Sequence, residues 1–205
     1  MRVFPGLGIL PFLKQITPFK HMKQVLLLAL VVLAFGTAAT AQKLFTRDAR
    51  IQFDSDTPME KIQAINKSGT AGLDTETGRM EWKVLIKGFV FEKALMQEHF
   101  NENYLESDKI PSATFKGELL NPKDVNFAKN GSYNVRAKGK MTIHGVEKVI
   151  EVPGTLVVEN GKVRVNTNFK VACADFDIAI PGVVRDKVAK EIAVKVEAVL
   201  EPRSK

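Results

Sequence analysis

The sequence predicts an all-β domain, an eight-stranded antiparallel β-barrel with one short helix, and three observations lead there. Apolar and polar residues alternate with a period of two in eight segments beyond residue 42. Most of those segments are long, and they are separated by short clusters of Gly, Asn and Asp. Helical spacing is confined to a few brief stretches. Eight long strands with one apolar and one polar face can close into a barrel or stack as a sandwich. Lengths near ten residues, beyond the usual five or six or so, suit a tall, tilted barrel. Closure removes exposed edges, and at this strand number the interior is either filled or holds one small ligand.

The first strand is Phe45–Phe53, with Phe45, Ala49, Ile51 and Phe53 on one face and Thr46, Asp48, Arg50 and Gln52 on the other. Met59–Ile65 reads as a weak helical turn, and the second strand follows at Ser68–Asp74. After a turn at Asp74–Gly78, Met80–Phe91 sets Met80, Trp82, Val84 and Ile86 against Glu81, Lys83 and Lys87, and becomes apolar on both faces from Phe89 to Phe91. Glu92–Phe100 carries good helix formers, with Leu95, Met96, His99 and Phe100 at helical spacing.

Thr114–Leu120 is the fourth strand and Asn121–Asp124 the loop after it. In Tyr133–Ile143 the residues Tyr133, Val135, Ala137, Met141 and Ile143 face one way, and His144-Gly145 turns the chain into Val146–Val158. Asn160-Gly161 is the strongest hairpin signal, since both positions favour positive φ. Val163–Val171 follows, with Val165, Thr167 and Phe169 on its apolar face. Pro181-Gly182 interrupts, a helical turn fits Val184–Lys190, and Ile192–Leu200 is the last strand. The polar faces carry Lys, Arg, Glu and Asn, which an outer-membrane barrel would have to turn toward lipid, so that class is excluded.

The chain has 205 residues, 45% hydrophobic and 26% charged, ordinary globular usage that excludes disordered and disulfide-scaffold classes. Of its +7 formal charge, four positive charges (Arg2, Lys14, Lys20 and Lys23) lie in the first 41 residues, where there is no acid. The remainder carries +3, too little and too dispersed for a nucleic-acid partner. From Met22 the sequence reads as a secretory signal: Lys23, the apolar run Val25–Phe35, then small residues ending Ala39-Thr40-Ala41. The run falls well short of the ~20 residues of a membrane-spanning helix. We therefore expect residues 1–41 to be a signal peptide, with translation starting at Met22 and cleavage after Ala41. The domain at 42–205 is then exported, periplasmic or secreted, and not membrane-spanning.

Signatures of catalysis are missing: no G-x-S-x-G, no P-loop, no Rossmann fingerprint and no Cys pair. After residue 42 there are two histidines, His99 and His144, far apart and without metal-ligand spacing, so neither metal nor cofactor is expected. His144 reads as a surface turn residue and His99 as a helix-surface residue near a pocket mouth. Glu98, Glu102, Glu106 and Asp108 read as solvated loop charge, and a hydrolase or isomerase built on them with His99 is the least favoured function. Cys173, the single cysteine, reads as a small buried apolar residue. The aromatic set Trp82, Phe89, Phe91, Phe100, Phe115, Phe169 and Phe176 fits either a filled core or a lined cavity.

Three stretches resemble the YceI-like family: KGFVFEKALMQEHFNENYLESDKIPSATFKGEL (87–119), GKMTIHGVEKVIEVPGTL (139–156) and RDKVAKEIAVKVEAVL (185–200). Its most specific pieces are Ser107-Asp108-Lys109-Ile110-Pro111 leading to Phe115, and Gly139-x-x-Thr142-x-x-Gly145-Val146. The resemblance implies a lipocalin-like barrel, periplasmic or secreted, that encloses a long polyisoprenoid chain. The family's opening carries a His in a phrase like Phe-Asp-x-x-His-Ser. Here Phe53-Asp54-Ser55-Asp56-Thr57-Pro58 has none, which implies a different head group or none.

With that reading, the apolar faces nominate Phe53, Met80, Trp82, Val84, Phe115, Val135, Ala137, Phe169 and Val194 as ligand-binding residues, and the helix at Leu95–Phe100 as a cover for one mouth. The expected partner is a polyisoprenoid or other long-chain lipid, and a homodimer is open. The alternative from another class is a solidly packed barrel serving as an interaction or stress-response module.

Overall fold

The computed structural model describes residues 42–202. Nine strands and one α-helix follow in order: β1 (Lys43–Asp56), β2 (Lys61–Asp74), β3 (Arg79–Leu85), β4 (Val90–Phe91), α1 (Ala94–His99), β5 (Ser112–Leu119), β6 (Gly131–Ile143), β7 (Val146–Glu159), β8 (Lys162–Ala172) and β9 (Glu191–Pro202). Neighbours along the sheet run β1-β9-β8-β7-β6-β5-β3-β2, and β2 pairs back to β1, so eight antiparallel strands close a barrel. The ninth, β4, is a two-residue rung on β2, at Ala64↔Phe91 and Ile65↔Val90. The expected signal peptide lies outside the described residues. No helix among the described residues is long and apolar enough to cross a membrane.

Several expectations from sequence are corrected. Met59–Ile65 is not helical: β2 begins at Lys61 because β1 supplies a partner at every rung from Asp56↔Lys61 to Phe53↔Ala64. Met80–Phe91 is not one strand, for the chain leaves β3 at Leu85 in a 3₁₀ turn over Ile86–Gly88. Buried Asn66 holds that departure. Its amide donates to the Leu85 carbonyl at 2.9 Å, and its own oxygen accepts from the Ser68 N–H at 2.8 Å. A Cβ on Gly88 would stand 2.5 Å from the Asn66 amide nitrogen, so this close approach requires glycine.

Phe45 faces outward, against expectation. The β1–β2 register slips between Thr46 and Ala49, and one extra residue exchanges the faces of a strand. Leu44 is therefore the inward residue, 2% exposed, while the Arg47 guanidinium lies 5.7 Å from the Phe45 ring centre. The helix begins at Ala94 and runs past Phe100, widening into a π turn over Phe100–Tyr104 in which the Leu105 N–H donates to the Phe100 carbonyl. At Val184–Lys190 there is a single turn, with the Val188 N–H donating to the Val184 carbonyl.

The main packed cluster of the barrel lies at one end. Leu44, Leu73, Leu119, Val125, Leu156, Val158, Val163 and Leu200 form a contiguous buried cluster where β1, β6 and β8 begin and β2, β5, β7 and β9 end. At the opposite end lie α1, the β1–β2 hairpin, the β6–β7 hairpin and the long β8–β9 connection.

Candidate ligand cavity

Above the packed cluster a cavity of about 620 Å³ remains between the strands and α1. That volume is in the usual range for small-molecule sites, ~300–1,000 Å³. Its floor includes Phe115, Leu119, Ala137 and Leu156, which belong also to the packed cluster. Its walls are the inward positions of successive strands: Phe53 on β1, Met80, Trp82 and Val84 on β3, Val135 on β6, Phe169 on β8 and Val194 on β9. All nine residues nominated from the alternation pattern thus line one space. In register, Val194 is the direct neighbour of Phe53 on one side and of Phe169 on the other.

An aromatic group stands at the α1 end. The Phe100 ring lies 5.2 Å from Phe53, 5.7 Å from Phe89 and 5.0 Å from Phe91, and Phe53 lies 5.3 Å from Phe89. The Phe53–Phe100 pair is stacked and the others are tilted or edge-on, arrangements that suit ring quadrupoles. Leu95, Met96 and His99 from α1 line the same mouth. Glu60 and Lys93 pair across it at 3.4 Å, joining the β1–β2 hairpin to the residue before α1.

Among the described residues, no ionised group stands in the interior. Burial pushes the Tyr104 phenol up, with a smaller push from nearby Cys173. Burial likewise pushes the Cys173 thiol up, its own backbone N–H opposing weakly, so both stay neutral at ordinary pH. Cys173 is 7% exposed, consistent with a small buried apolar residue. The cationic and anionic side chains on the cavity wall, Glu60, Lys83, Lys93 and Lys187, sit at exposed or rim positions.

The remaining singled-out residues lie elsewhere. His144 is not a free surface residue: it is half-buried in the β6–β7 turn with φ 51°, and its Nδ1 and Nε2 lie 3.3 Å from the Phe176 carbonyl and from Glu106 Oε2. Glu106 also accepts from Lys109 at 2.6 Å, and Asp108 accepts from Lys87. Glu98 and Glu102 are exposed on the helical segment. The loop carboxylates therefore form surface pairs rather than an acid and base facing each other in a cleft. Among the described residues no group of three or more His, Cys, Asp or Glu is placed to hold a metal ion. Phe176, unlike the other six aromatics of its set, is buried away from the cavity.

Several lining residues were not nominated. Ile51, Ile192 and Val196 share the alternating faces already visible in sequence, so the same signal reached them. Ile86 also lay on the apolar face of its segment, whereas Tyr104, Leu105 and Ile178 come from turns and connections, where no alternation marks an inward side chain.

A YceI-like domain matches residues 35–200. The chain belongs to the YceI-like family. Solved structures with the same fold include a polyisoprenoid binding domain from Saccharophagus degradans implicated in plant cell wall breakdown, at TM-score 0.69 and 12% identity, covering 80% of this chain and 100% of that one. BcnA of Burkholderia cenocepacia aligns at TM-score 0.60 and 17% identity, over 74% of this chain and 95% of that one. No curated protein matches the sequence. The two family motifs act here as scaffold. In Ser107–Pro111 the Ser107 N–H donates to the Asn101 carbonyl at 2.8 Å and the Pro111 carbonyl accepts from Ile86, docking the helix exit onto the β3 end. In the second, His144 and Gly145 both hold positive φ and close the β6–β7 hairpin.

Proposed function

We propose that this YceI-like chain is an exported, non-enzymatic lipid carrier of the cell envelope, holding a long apolar ligand of polyisoprenoid type inside its barrel. The observation that carries the reading is the cavity: about 620 Å³, walled by aliphatic and aromatic side chains and free of ionised groups in its interior. Such a space is costly to fill with water and cheap to fill with hydrocarbon. Burying a few hundred Å² of apolar ligand at ~25 cal/mol per Å² supplies several kcal/mol before association costs. The Saccharophagus domain, described as polyisoprenoid binding, supports the chemical class. Export rests on the signal-like segment Met22–Ala41, with a periplasmic or secreted destination. The nine lining positions from Phe53 to Val194 are the proposed contacts. Binding rather than catalysis is the reading because the one thiol on the wall, Cys173, is buried with its pKa raised, and His99 stands exposed at the mouth.

Organic extraction of the purified exported protein, followed by mass spectrometry, tests this reading. A long-chain lipid at about one mole per mole of protein is the expected result. A clean extract from protein of undiminished stability favours the packed interaction module instead.

A further inference from the structure

The ladder between β7 and β8 stops half-way up the barrel. It runs from Glu159↔Lys162 to Thr155↔Asn166 and no further, whereas β6–β7 continues to Ile143↔Val146 and β8–β9 to Ala172↔Glu191. Pro153 accounts for the stop. Its carbonyl accepts from Thr167 Oγ1 at 2.6 Å, so its backbone edge faces β8, and proline has no N–H to offer there. Above it the two strands run on without pairing to each other. Backbone groups left in this way require another hydrogen-bonding partner, so the seam is a polar break in the wall of an apolar hollow.

Two spaces meet at that break. The interior cavity shares Val135, Pro153, Gly154 and Thr167 with a second cavity of about 520 Å³. Asn134, Arg136, Asn166 and Asn168 line this second space, and they alternate along β6 and β8 with the interior-facing Val135, Val165, Thr167 and Phe169, which places it on the outer face. Asn121 and Asp124 complete it from the β5–β6 loop. Four of these six side chains are neutral amides, which donate and accept equally well. Arg136 and Asp124 oppose each other in sign, and Arg136 is already paired with Glu151. The groove thus offers hydrogen bonds without a free cation, the Asp124 carboxylate being its one charge outside an ion pair among the described residues. Gly154 sits at the junction. A Cβ there would meet the Asn166 carbonyl oxygen at 3.3 Å, Thr167 Cβ at 3.6 Å and Val135 Cγ2 at 3.8 Å, so any side chain would fill the narrow space between groove and hollow.

We propose that the outer groove binds the uncharged, hydrogen-bonding head, a hydroxyl or carbonyl group, of a lipid whose apolar chain enters the barrel through the β7–β8 break at Gly154. This rests on the lipid-carrier reading and adds to it the site and chemical class of the head. A phosphate head would bring a charge that no free cation in the groove balances.

Trp82, the single tryptophan of the chain, lines the cavity and reports its occupancy. Delipidated protein is titrated with geranylgeraniol, geranylgeranyl phosphate and the headless hydrocarbon squalene, following Trp82 emission. The expected result is tighter binding of the alcohol than of the phosphate. Asn166→Ala combined with Asn168→Ala, both outward positions, should weaken the alcohol about tenfold and leave squalene within about twofold. Gly154→Val, whose branched side chain suits a strand, should weaken the alcohol by a similar factor through blocking the passage. If Trp82 responds but the amide variant binds the alcohol as the parent does, or the phosphate binds as tightly, the head site is overturned while the cavity reading stands. If none of the three lipids changes Trp82 emission, the cavity reading falls and the head site with it.

Discussion

His144 and Glu106 face each other with Nε2 and Oε2 3.3 Å apart, and both hold the left-handed backbone that side chains seldom adopt, φ 51° and 42°. The second ring nitrogen of His144 lies 3.3 Å from the Phe176 carbonyl. Three segments meet at one imidazole: the exit of the helical segment, the β6–β7 hairpin and the start of the β8–β9 connection. Carbonyl and carboxylate oxygens only accept, so the ring donates to both when it carries both protons. These contacts fix the loops around the cavity mouth, which gives His144 a structural role that its place in a Gly turn does not announce. His144→Asn keeps a residue that tolerates positive φ but cannot reach both acceptors. Its melting temperature should fall by about 3 °C, the shift that one lost hydrogen bond's worth of stability produces in a chain of this size, as read by thermal unfolding followed by circular dichroism.

The acid side of the stability profile should depend on Glu106. Its hydrogen bonds from Lys109 and then His144 hold its carboxyl below the ordinary carboxylate range, so its contribution is complete at neutral pH and is lost as the pH falls through that lowered value. Asp74, held down chiefly by the Thr77 N–H, and Glu197, held down chiefly by Lys195, act in the same direction. Glu106→Gln should be less stable than the parent at pH 7 and nearly equal to it at pH 3, the gap closing as the pH falls. Urea titrations at the two pH values check this, and a gap that stays constant with pH contradicts it.

Phe100 touches Phe53, Phe89 and Phe91 at once, so it anchors the helical segment over the mouth. Phe100→Ala should cost about 2 kcal/mol in urea unfolding, less than a fully buried Phe because the ring is half-exposed. The same variant should release a bound lipid faster, since the mouth loses its central side chain. Stopped-flow transfer of a fluorescent fatty chain to vesicles measures that rate.

Cys173 should behave as a hydrophobe. With its thiol buried and its pKa raised, reaction with a disulfide reagent at pH 8 should be slow in the native protein and complete within minutes in urea. Equal rates in the two states would show that the thiol is accessible and reactive.

The strands, and with them the cavity wall, were legible because inward positions repeat every second residue whatever the partner strand. That is why Met80, Trp82 and Val84, or Phe169 and Val194, reach the same space. The pattern fails wherever the backbone leaves regular pairing. The slip between Thr46 and Ala49 turned Phe45 outward, a change of one residue that composition does not mark. The first half of β2 was hidden by Asn66, a polar residue on an inward position whose partners lie at Ser68 and Leu85. Likewise Phe89 and Phe91 read as a strand apolar on both faces, when the chain has left β3 and folded those rings into the hollow. The break beside Pro153 was equally out of reach, for a proline in sequence does not say which neighbouring strand has lost its donor.

The hollow itself can be tested by filling it. Val194 stands between Phe53 and Phe169 on the cavity wall, so Val194→Phe in delipidated protein puts its ring into empty space. Urea unfolding should then show stability equal to or above that of the parent, together with loss of lipid binding. A loss of about 1–3 kcal/mol, the usual cost of overpacking a filled core, would show that protein atoms already occupy the place assigned to the ligand.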